Sequence, residues 1–339
     1  MQQTHDEQDF SIADLPPHIE KLLNLPHQTW LNSLAYCTLF ETLNPAARVF
    51  LRLENGSPKD VLFYRLVRKM GVLTLEIEGF PDVSDDIVRH LLQRHKAHLA
   101  IVNRLEPPVK PDEAAHISAK NIYLKSYVTI APLPDSKEAY LNLLGKNRKK
   151  QLPQYLRRLH RHFEDKIEFR VQLREDILIE EVIQLELLNR NRRATRGKGV
   201  DSVKEIETRQ QNLMPLIAAA GCMLTVRHGD KIIGGTLSFL HGKAAFMLVT
   251  GHDVANDNLR IGYLGIWKTL EYFIDNGIET CNFLWGRKSY KTQFLGIEYP
   301  WTAHIIAKNK QLARFWKHYI SLYELYLRGS RFVKTRLGR

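Results

Sequence analysis

Along the chain, apolar positions switch between strand-like runs and helix-like spacing, and residues 244–296 show this most clearly. An apolar run over 244–250, ending in Gly251-His252-Asp253, predicts a strand. After a polar stretch, Leu264, Ile266, Trp267, Leu270, Phe273 and Ile274 recur at helical spacing, and Asn276-Gly277 stops the helix with an αL-tolerant pair. A second apolar run at 280–285 predicts another strand, Gly286 breaks it, and 287–294 begins a further helix. Strand, glycine turn, helix, strand is one crossover unit, which requires its two strands to be parallel.

The same reading extends upstream. Residues 1–25 form a polar lead-in containing Pro16-Pro17, and 27–40 reads as a helix with Trp30, Leu31, Leu34 and Leu39 inside. Strands are expected at 48–53 and 61–67, joined through Asn55-Gly56-Ser57-Pro58, and at 72–77, where apolar and polar positions alternate. A helix over 82–98 enters through Ser84, Asp85 and Asp86; strands at 99–104 and 122–131 flank a proline-rich break at 106–111. Further on come a helix at 135–144, a strand at 167–173, helices at 176–190 and 202–220, and a hairpin at 223–240 turning at His228-Gly229-Asp230. A last strand at 302–308 precedes an aromatic, basic helix and tail at 311–339.

Composition adds charge to this outline. Of 339 residues, 49 are Lys or Arg against 37 Asp or Glu, a net charge of +12 that favours anionic partners: a nucleotide cofactor, RNA or an acidic membrane face. The helix over 146–161 gathers Lys146, Arg148, Lys149, Lys150, Arg157, Arg158 and Arg161 beside an apolar stripe of Leu152, Leu156 and Leu159, and a basic loop is expected at 190–198. The helix is a solvated charged face or a contact for a phosphorylated donor, tRNA or anionic lipid, and the loop is expected over the substrate site. Cys37, Cys222 and Cys281 are scattered, which excludes a disulfide framework and suits a reducing cytoplasm. No signal peptide or bilayer-length apolar run is legible, and the 14 histidines show no metal-ligand spacing, so no metal is expected.

The turn Arg260-Ile261-Gly262-Tyr263-Leu264-Gly265 opens the helix of the crossover. The first amides of a helix lack internal partners and its dipole is positive there, so a phosphate is well placed at such an end. Arg260 adds charge, and Gly262 lets the backbone approach. The competing reading is an ordinary helix start with a solvent-facing arginine.

In order and spacing, Gly251-His252-Asp253, Gly262, the helix to Asn276, 283–286, Tyr290-Lys291, the basic 143–150 segment and the 223–237 hairpin resemble the GNAT acyltransferase superfamily. Within it they resemble the CelD-like, cellulose-biosynthesis-type branch related to the Fem aminoacyltransferases. The resemblance covers about residues 143–300. It implies an α/β fold (α+β mixed) of two tandem GNAT-like units, each a mixed twisted sheet flanked by helices, the first degenerate: a lead-in at 1–25, a degenerate half at 26–140, an acyltransferase domain at 141–310 and a tail at 311–339. The pyrophosphate loop departs from the usual Gln/Arg-x-x-Gly-x-Gly/Ala pattern, since this chain has Arg-x-Gly-x-x-Gly.

What the resemblance implies is an N-acyltransferase moving an acyl group from acyl-CoA or acetyl-CoA to a small amine acceptor, an amino sugar or amino acid of cell-envelope or polysaccharide metabolism. The alternatives are a Fem-like ligase with aminoacyl-tRNA as donor and a non-catalytic scaffold associated with an anionic membrane; the setting is the cytoplasm or the membrane's inner face. Acyl transfer from a thioester needs a neutral amine, donors for the oxyanion and a proton for the leaving thiolate. The resemblance assigns donor binding to Val249, Thr250, Gly251, Arg260, Ile261, Gly262, Tyr263 and Gly265. Tyr290 is the expected general acid, and Asp253 or His252 the acceptor of the amine's proton, with loop capping as the other reading of Asp253. Arg192, Arg193, Trp285 and Lys291 are the candidate substrate-binding residues.

Overall fold

The computed structural model describes residues 6–11, 14–16, 47–55, 57–78, 83–108, 122–320 and 322. In chain order the strands and helices begin with β1 (Asp6–Ser11), β2 (Ala47–Glu54), β3 (Ser57–Lys69), β4 (Val72–Glu78), α1 (Asp85–Arg94), β5 (Leu99–Leu105) and β6 (Ile122–Pro132). There follow α2 (Lys137–Leu143), α3 (Lys146–His162), β7 (Ile167–Leu173), α4 (Ile179–Ala194), α5 (Val203–Ala220), β8 (Gly221–His228) and β9 (Lys231–His241). The chain continues through β10 (Ala244–His252), a 3-10 turn (Val254–Leu259), α6 (Ile261–Asp275), β11 (Thr280–Trp285), α7 (Ser289–Gln293) and β12 (Ile297–Ala307). Residues 310–320 are helical and bury Trp316; the expected helix at 27–40 and the tail beyond 322 lie outside the described residues.

The described residues divide into two compact units, one holding 6–16, 47–126 and 299–322 and the other 127–298. Both are mixed α/β and share a topology. In the first, strands run β1-β2-β3-β4-β5-β12, antiparallel except for the parallel pair β4·β5 that α1 connects. In the second they run β7-β8-β9-β10-β11-β6, antiparallel except for β10·β11, connected by α6.

The division does not follow the sequence halves. The strand expected to close the first half, β6, pairs with β11, and the last strand, β12, pairs with β5, so each unit is completed by the other half's final strand. Part of the lead-in forms a strand that its polarity does not suggest. Asp6–Ser11 is an edge strand held by its charges: the Asp9 carboxylate accepts from Arg48 Nε at 3.0 Å and from the Tyr64 hydroxyl at 2.8 Å.

Each unit has its own core. In the first, Ile87, Val88, Leu91 and Leu92 of α1 pack on Phe50, Leu62, Leu75 and Ile77. In the second, α6 is buried along most of its length because Leu264, Trp267, Leu270 and Phe273 meet strands β8 to β10 and helices α2 and α3. Two glycines of β9 permit the close approach of neighbouring elements: a Cβ on Gly234 would lie 2.6 Å from Ile261 Cγ2, and one on Gly235 2.3 Å from Leu224 O. Helix α3 buries Leu152 and Leu159 and leaves Arg157, Arg158 and Arg161 exposed, in line with its amphipathic pattern. No helix among the described residues is long and apolar enough to cross a membrane.

Candidate active site

Strands β10 and β11 begin as a parallel pair, but only Ala244–Phe246 are in register with Thr280–Asn282. Beyond that point β10 stays paired with β9 up to His252, with a bulge between Met247 and Val249, while β11 departs from regular pairing with β6 and passes through Leu284 at φ 55°. Among the described residues, the edge of β10 facing β11 therefore has no strand partner over 247–252. A strand edge without a partner offers amides and carbonyls to an extended ligand.

Helix α4 crosses the end of this strand. A Cβ on Gly251 would lie 2.5 Å from Leu185 O, so only glycine allows the helix so near. Beyond that contact Arg192 reaches the strand and donates to Thr250 O at 3.3 Å and to Asn189 Oδ1 at 3.0 Å. Asn189 in turn donates to the buried Glu186 at 3.1 Å, and Glu186 also accepts from Gln210 Nε2 of α5 at 3.2 Å. This relay ties the Arg192 guanidinium to two helices. Burial, then the neighbouring Arg196, lower its pKa, while Tyr290 and Asp257 act in the opposite sense.

His252 ends β10. Its Nε2 lies 2.5 Å from Asp257 Oδ1, and its ring is nine-tenths buried. Opposite the carboxylate, Nε2 carries the hydrogen, and Nδ1 is left buried with no hydrogen-bond partner. Burial holds the His252 pKa below its usual value despite the Asp257 hydrogen bond, with Arg192 also lowering it. The ring lies against Gly262: a Cβ there would sit 2.4 Å from Nδ1 and 3.0 Å from Cε1. The missing side chain of Gly262 thus makes room for His252, a use that the glycine pattern does not reveal. Nδ1 faces helix α6, so the accessible member of the pair is Asp257, whose side chain is 56% exposed.

Asp253 is engaged as a loop cap. Its side chain accepts from Ala255 N at 3.1 Å and lies 3.5 Å from Lys231 Nζ, which fits the capping alternative rather than proton transfer. Arg260 adopts the left-handed conformation (φ 59°) as it leads into α6, its side chain exposed, and its carbonyl accepts from the amides of Tyr263 and Leu264. Val249 and Ile261 are buried, Tyr263 packs on Phe294 with ring centroids 4.5 Å apart, and Gly265 sits 3.8 Å from Gly235 Cα measured from an added Cβ.

Tyr290 stands in the first turn of α7, its ring edge-on to Phe283 of β11 at 6.3 Å. Its hydroxyl has no hydrogen-bond partner among the described residues. Burial raises its pKa and the nearby Arg192 lowers it, with burial the larger effect. Helix α7 is held by α2 and α3: the Tyr140 hydroxyl donates to Phe294 O at 2.7 Å, and Arg148 donates to Gln293 O.

The substrate-side candidates separate. Lys291 is 3% exposed and donates to Leu284 O at 3.0 Å and Trp285 O at 2.7 Å; it pins the irregular end of β11 rather than facing a ligand. Burial pulls its pKa down to about 8. Arg193 donates to Gly199 O at 2.9 Å and shapes the turn after α4, and Trp285 is 48% exposed. The expected basic loop at 190–198 is in part the last turns of α4, because Arg190 and Arg192 are fastened to Asp201 O and Thr250 O.

The unpartnered strand edge, Arg192, the His252–Asp257 pair and Tyr290 are brought to one end of the second unit. Asp257, Asn189 and Glu186 were not legible as site residues; the first lies in a polar turn and the others in a helix of weak apolar periodicity. Among the described residues no cluster of three or more His, Cys, Asp or Glu side chains is arranged to hold a metal.

Residues 146–292 match the acetyltransferase (GNAT) domain family. The match runs from the start of α3 into α7, taking in α4, β10, the 3-10 turn, α6 and β11. No curated protein matches the sequence. Among solved structures the chain is similar to FemX, at 11% identity and a TM-score of 0.62, over 91% of this chain and 99% of that one. It is similar also to a conserved protein of unknown function from Bacteroides thetaiotaomicron VPI-5482 (12% identity, TM-score 0.56, 89% and 100% covered). A third is the C-terminal domain of a putative lysylphosphatidylglycerol synthetase from Agrobacterium fabrum (12%, 0.51, 89% and 95%). At these identities the likeness is one of fold, and it extends over nearly the whole chain.

Proposed function

We propose that the second unit transfers an acyl group from acyl-CoA to the amine of a small acceptor, an amino sugar or amino acid of cell-envelope or polysaccharide metabolism. The observation that carries this reading is the parting of β10 and β11 after Phe246 and Asn282, which opens a strand edge near Tyr290, whose hydroxyl has no hydrogen-bond partner among the described residues. The donor's pantetheine arm pairs with the 247–252 edge, and its carbonyl oxygen accepts from amides there. The acceptor nitrogen attacks the thioester carbon and gives its proton to the exposed Asp257 carboxylate, which His252 orients. The C–S bond then breaks, and Tyr290 protonates the leaving thiolate. Burial keeps Tyr290 protonated through the neutral range, as an acid requires.

A second donor is favoured by one specific feature. His252 fills the space beside Gly262 where a pyrophosphate would approach the backbone, and the exposed basic face of α3 suits a polyanion. Aminoacyl-tRNA is therefore the alternative donor, in a reaction of the same acyl-transfer class.

A thermal-shift titration with CoA, acetyl-CoA, a longer acyl-CoA and bulk tRNA separates the two. A ligand at ~100 times its Kd stabilises the fold by about 2.7 kcal/mol, which is readily detected. A shift with the CoA species alone supports the first reading. A salt-sensitive shift with tRNA and none with any CoA species replaces it with the second.

A further inference from the structure

Arg192 is a half-buried cation without a counter-ion. Among the described residues it forms no ion pair, and both of its hydrogen bonds run from Nη2 to neutral oxygens, Thr250 O at 3.3 Å and Asn189 Oδ1 at 3.0 Å. Neutral acceptors orient a guanidinium but do not cancel its charge. Nε is buried with no partner, and Nη1, the remaining donor, is open to solvent. Burying an unpaired charge is costly, so such a group calls for an anion.

The acids around it are engaged elsewhere. Glu186 reaches Arg192 only through the Asn189 amide, and it also accepts from Gln210 Nε2 at 3.2 Å and from Arg209 Nη2 at 3.4 Å. Asp257 is bonded to His252 at 2.5 Å.

Strand β10 fixes where the guanidinium stands. Asp253 N donates to Ile233 O at 2.9 Å. By antiparallel alternation, Gly251 then directs its ladder groups to β9, while Thr250 and His252 direct theirs to the opposite edge. Thr250 O, the atom that holds Arg192, therefore belongs to the edge that β11 leaves open. The cation stands on the edge proposed to receive the donor, near enough to Tyr290 and Asp257 for their charges to act on it.

We infer that Arg192 determines acceptor specificity: Nη1 binds a carboxylate on the acceptor, which makes the acceptor an amino acid or another carboxylate-bearing amine rather than an amino sugar. A carboxylate carries the single negative charge that one guanidinium balances, and a charge-assisted hydrogen bond is stronger than one to a neutral oxygen. A carboxamide of the same shape leaves the cation uncompensated. Asn189 and Glu186 are positioning residues, since they hold the guanidinium against Thr250 without neutralising it. The word acceptor rests on the acyl-transfer reading; the carboxylate seat does not.

The test measures CoA release from acetyl-CoA by the full-length protein with the common amino acids, their α-amides, glucosamine and glucosamine 6-phosphate. At least one amino acid should show a kcat/KM at least about tenfold above that of its amide, and Arg192→Gln should erase that margin by raising KM. Equal use of acid and amide, a preference for either amino sugar, or a margin that survives Arg192→Gln overturns the inference. Calorimetric titration of the same compounds without acetyl-CoA keeps the two readings apart. If no amine releases CoA, the acyl-CoA reading fails, yet an amino acid bound at least about tenfold more tightly than its amide by the wild type alone upholds the seat. No such difference in binding overturns it. Should Arg192→Gln not fold, Arg192→Lys, which keeps the charge and loses the fixed fork, takes its place: it should weaken amino-acid binding and leave amide binding unchanged.

Discussion

Replacing Gly262 by Ala distinguishes two reasons for a glycine in the first turn of α6. The added Cβ would stand 2.4 Å from His252 Nδ1 and 3.0 Å from Cε1. The ring has no easy retreat, because it is nine-tenths buried and its Nε2 is bonded to Asp257. Overpacking of this kind costs about 1–3 kcal/mol, while alanine in place of glycine within a helix returns about 1 kcal/mol. The net loss is then about 0–2 kcal/mol, or up to roughly 8 °C in Tm for a unit of this size. Gly265→Ala is the internal control: its Cβ meets nothing nearer than 3.8 Å, so it should be neutral or stabilising by up to about 1 kcal/mol. Urea melts of both variants measure the stability change, and steady-state kinetics should show Gly262→Ala losing kcat through a displaced His252–Asp257 pair. An unchanged urea midpoint with a raised KM for the donor would refute the packing argument and return Gly262 to phosphate binding.

Tyr290→Phe should leave stability nearly unchanged, since the hydroxyl has no hydrogen-bond partner among the described residues, yet lower kcat by about 10²–10⁴-fold and abolish a rate decline that in the wild type sets in above pH 10. Asp257→Asn should lower kcat over a similar range, roughly 10²–10⁴-fold, with the melting temperature changed little, measured by single-turnover assay. His252 has a folded pKa below 6.5, so the unfolded chain binds its proton first and wild-type stability falls as pH drops below 6.5; in urea melts from pH 5 to 7, His252→Gln should reduce that slope. Lys291, with a folded value of about 8 against 10.5, acts in a different window: the unfolded chain holds the proton longer, so wild-type stability relative to Lys291→Met should rise from pH 8 towards 10.5, by up to about 3 kcal/mol.

The local pattern of the second unit was legible because its elements carry their own signals. The 244–250 run, the helical spacing from Leu264 to Ile274, the Asn276-Gly277 stop and the 280–285 run correspond to β10, α6 and β11, and the pair is parallel as a crossover demands. The edge strand at Asp6–Ser11 was missed because polar residues on both faces leave no alternation, and only the partners Arg48 and Tyr64 explain it. The helix expected to end at 190 runs to Ala194, since its last turns are stabilised by hydrogen bonds to Thr250 and Asp201 that no local window contains.

The sequence by itself determined the order of strands and helices in the second unit, the parallel crossover and the place of Tyr290 in α7, because hydrophobic period, turn residues and motif spacing act over a few residues. Only the tertiary structure decided which strand completes which sheet, and what Gly262, Asp253 and Lys291 do. Strand partners are chosen by pairing across 148 to 208 positions of chain, from Thr280 with Pro132 to Ala307 with Leu99. A glycine's missing side chain likewise has no meaning until the atom that fills its place is known, and here that atom is Nδ1 of His252.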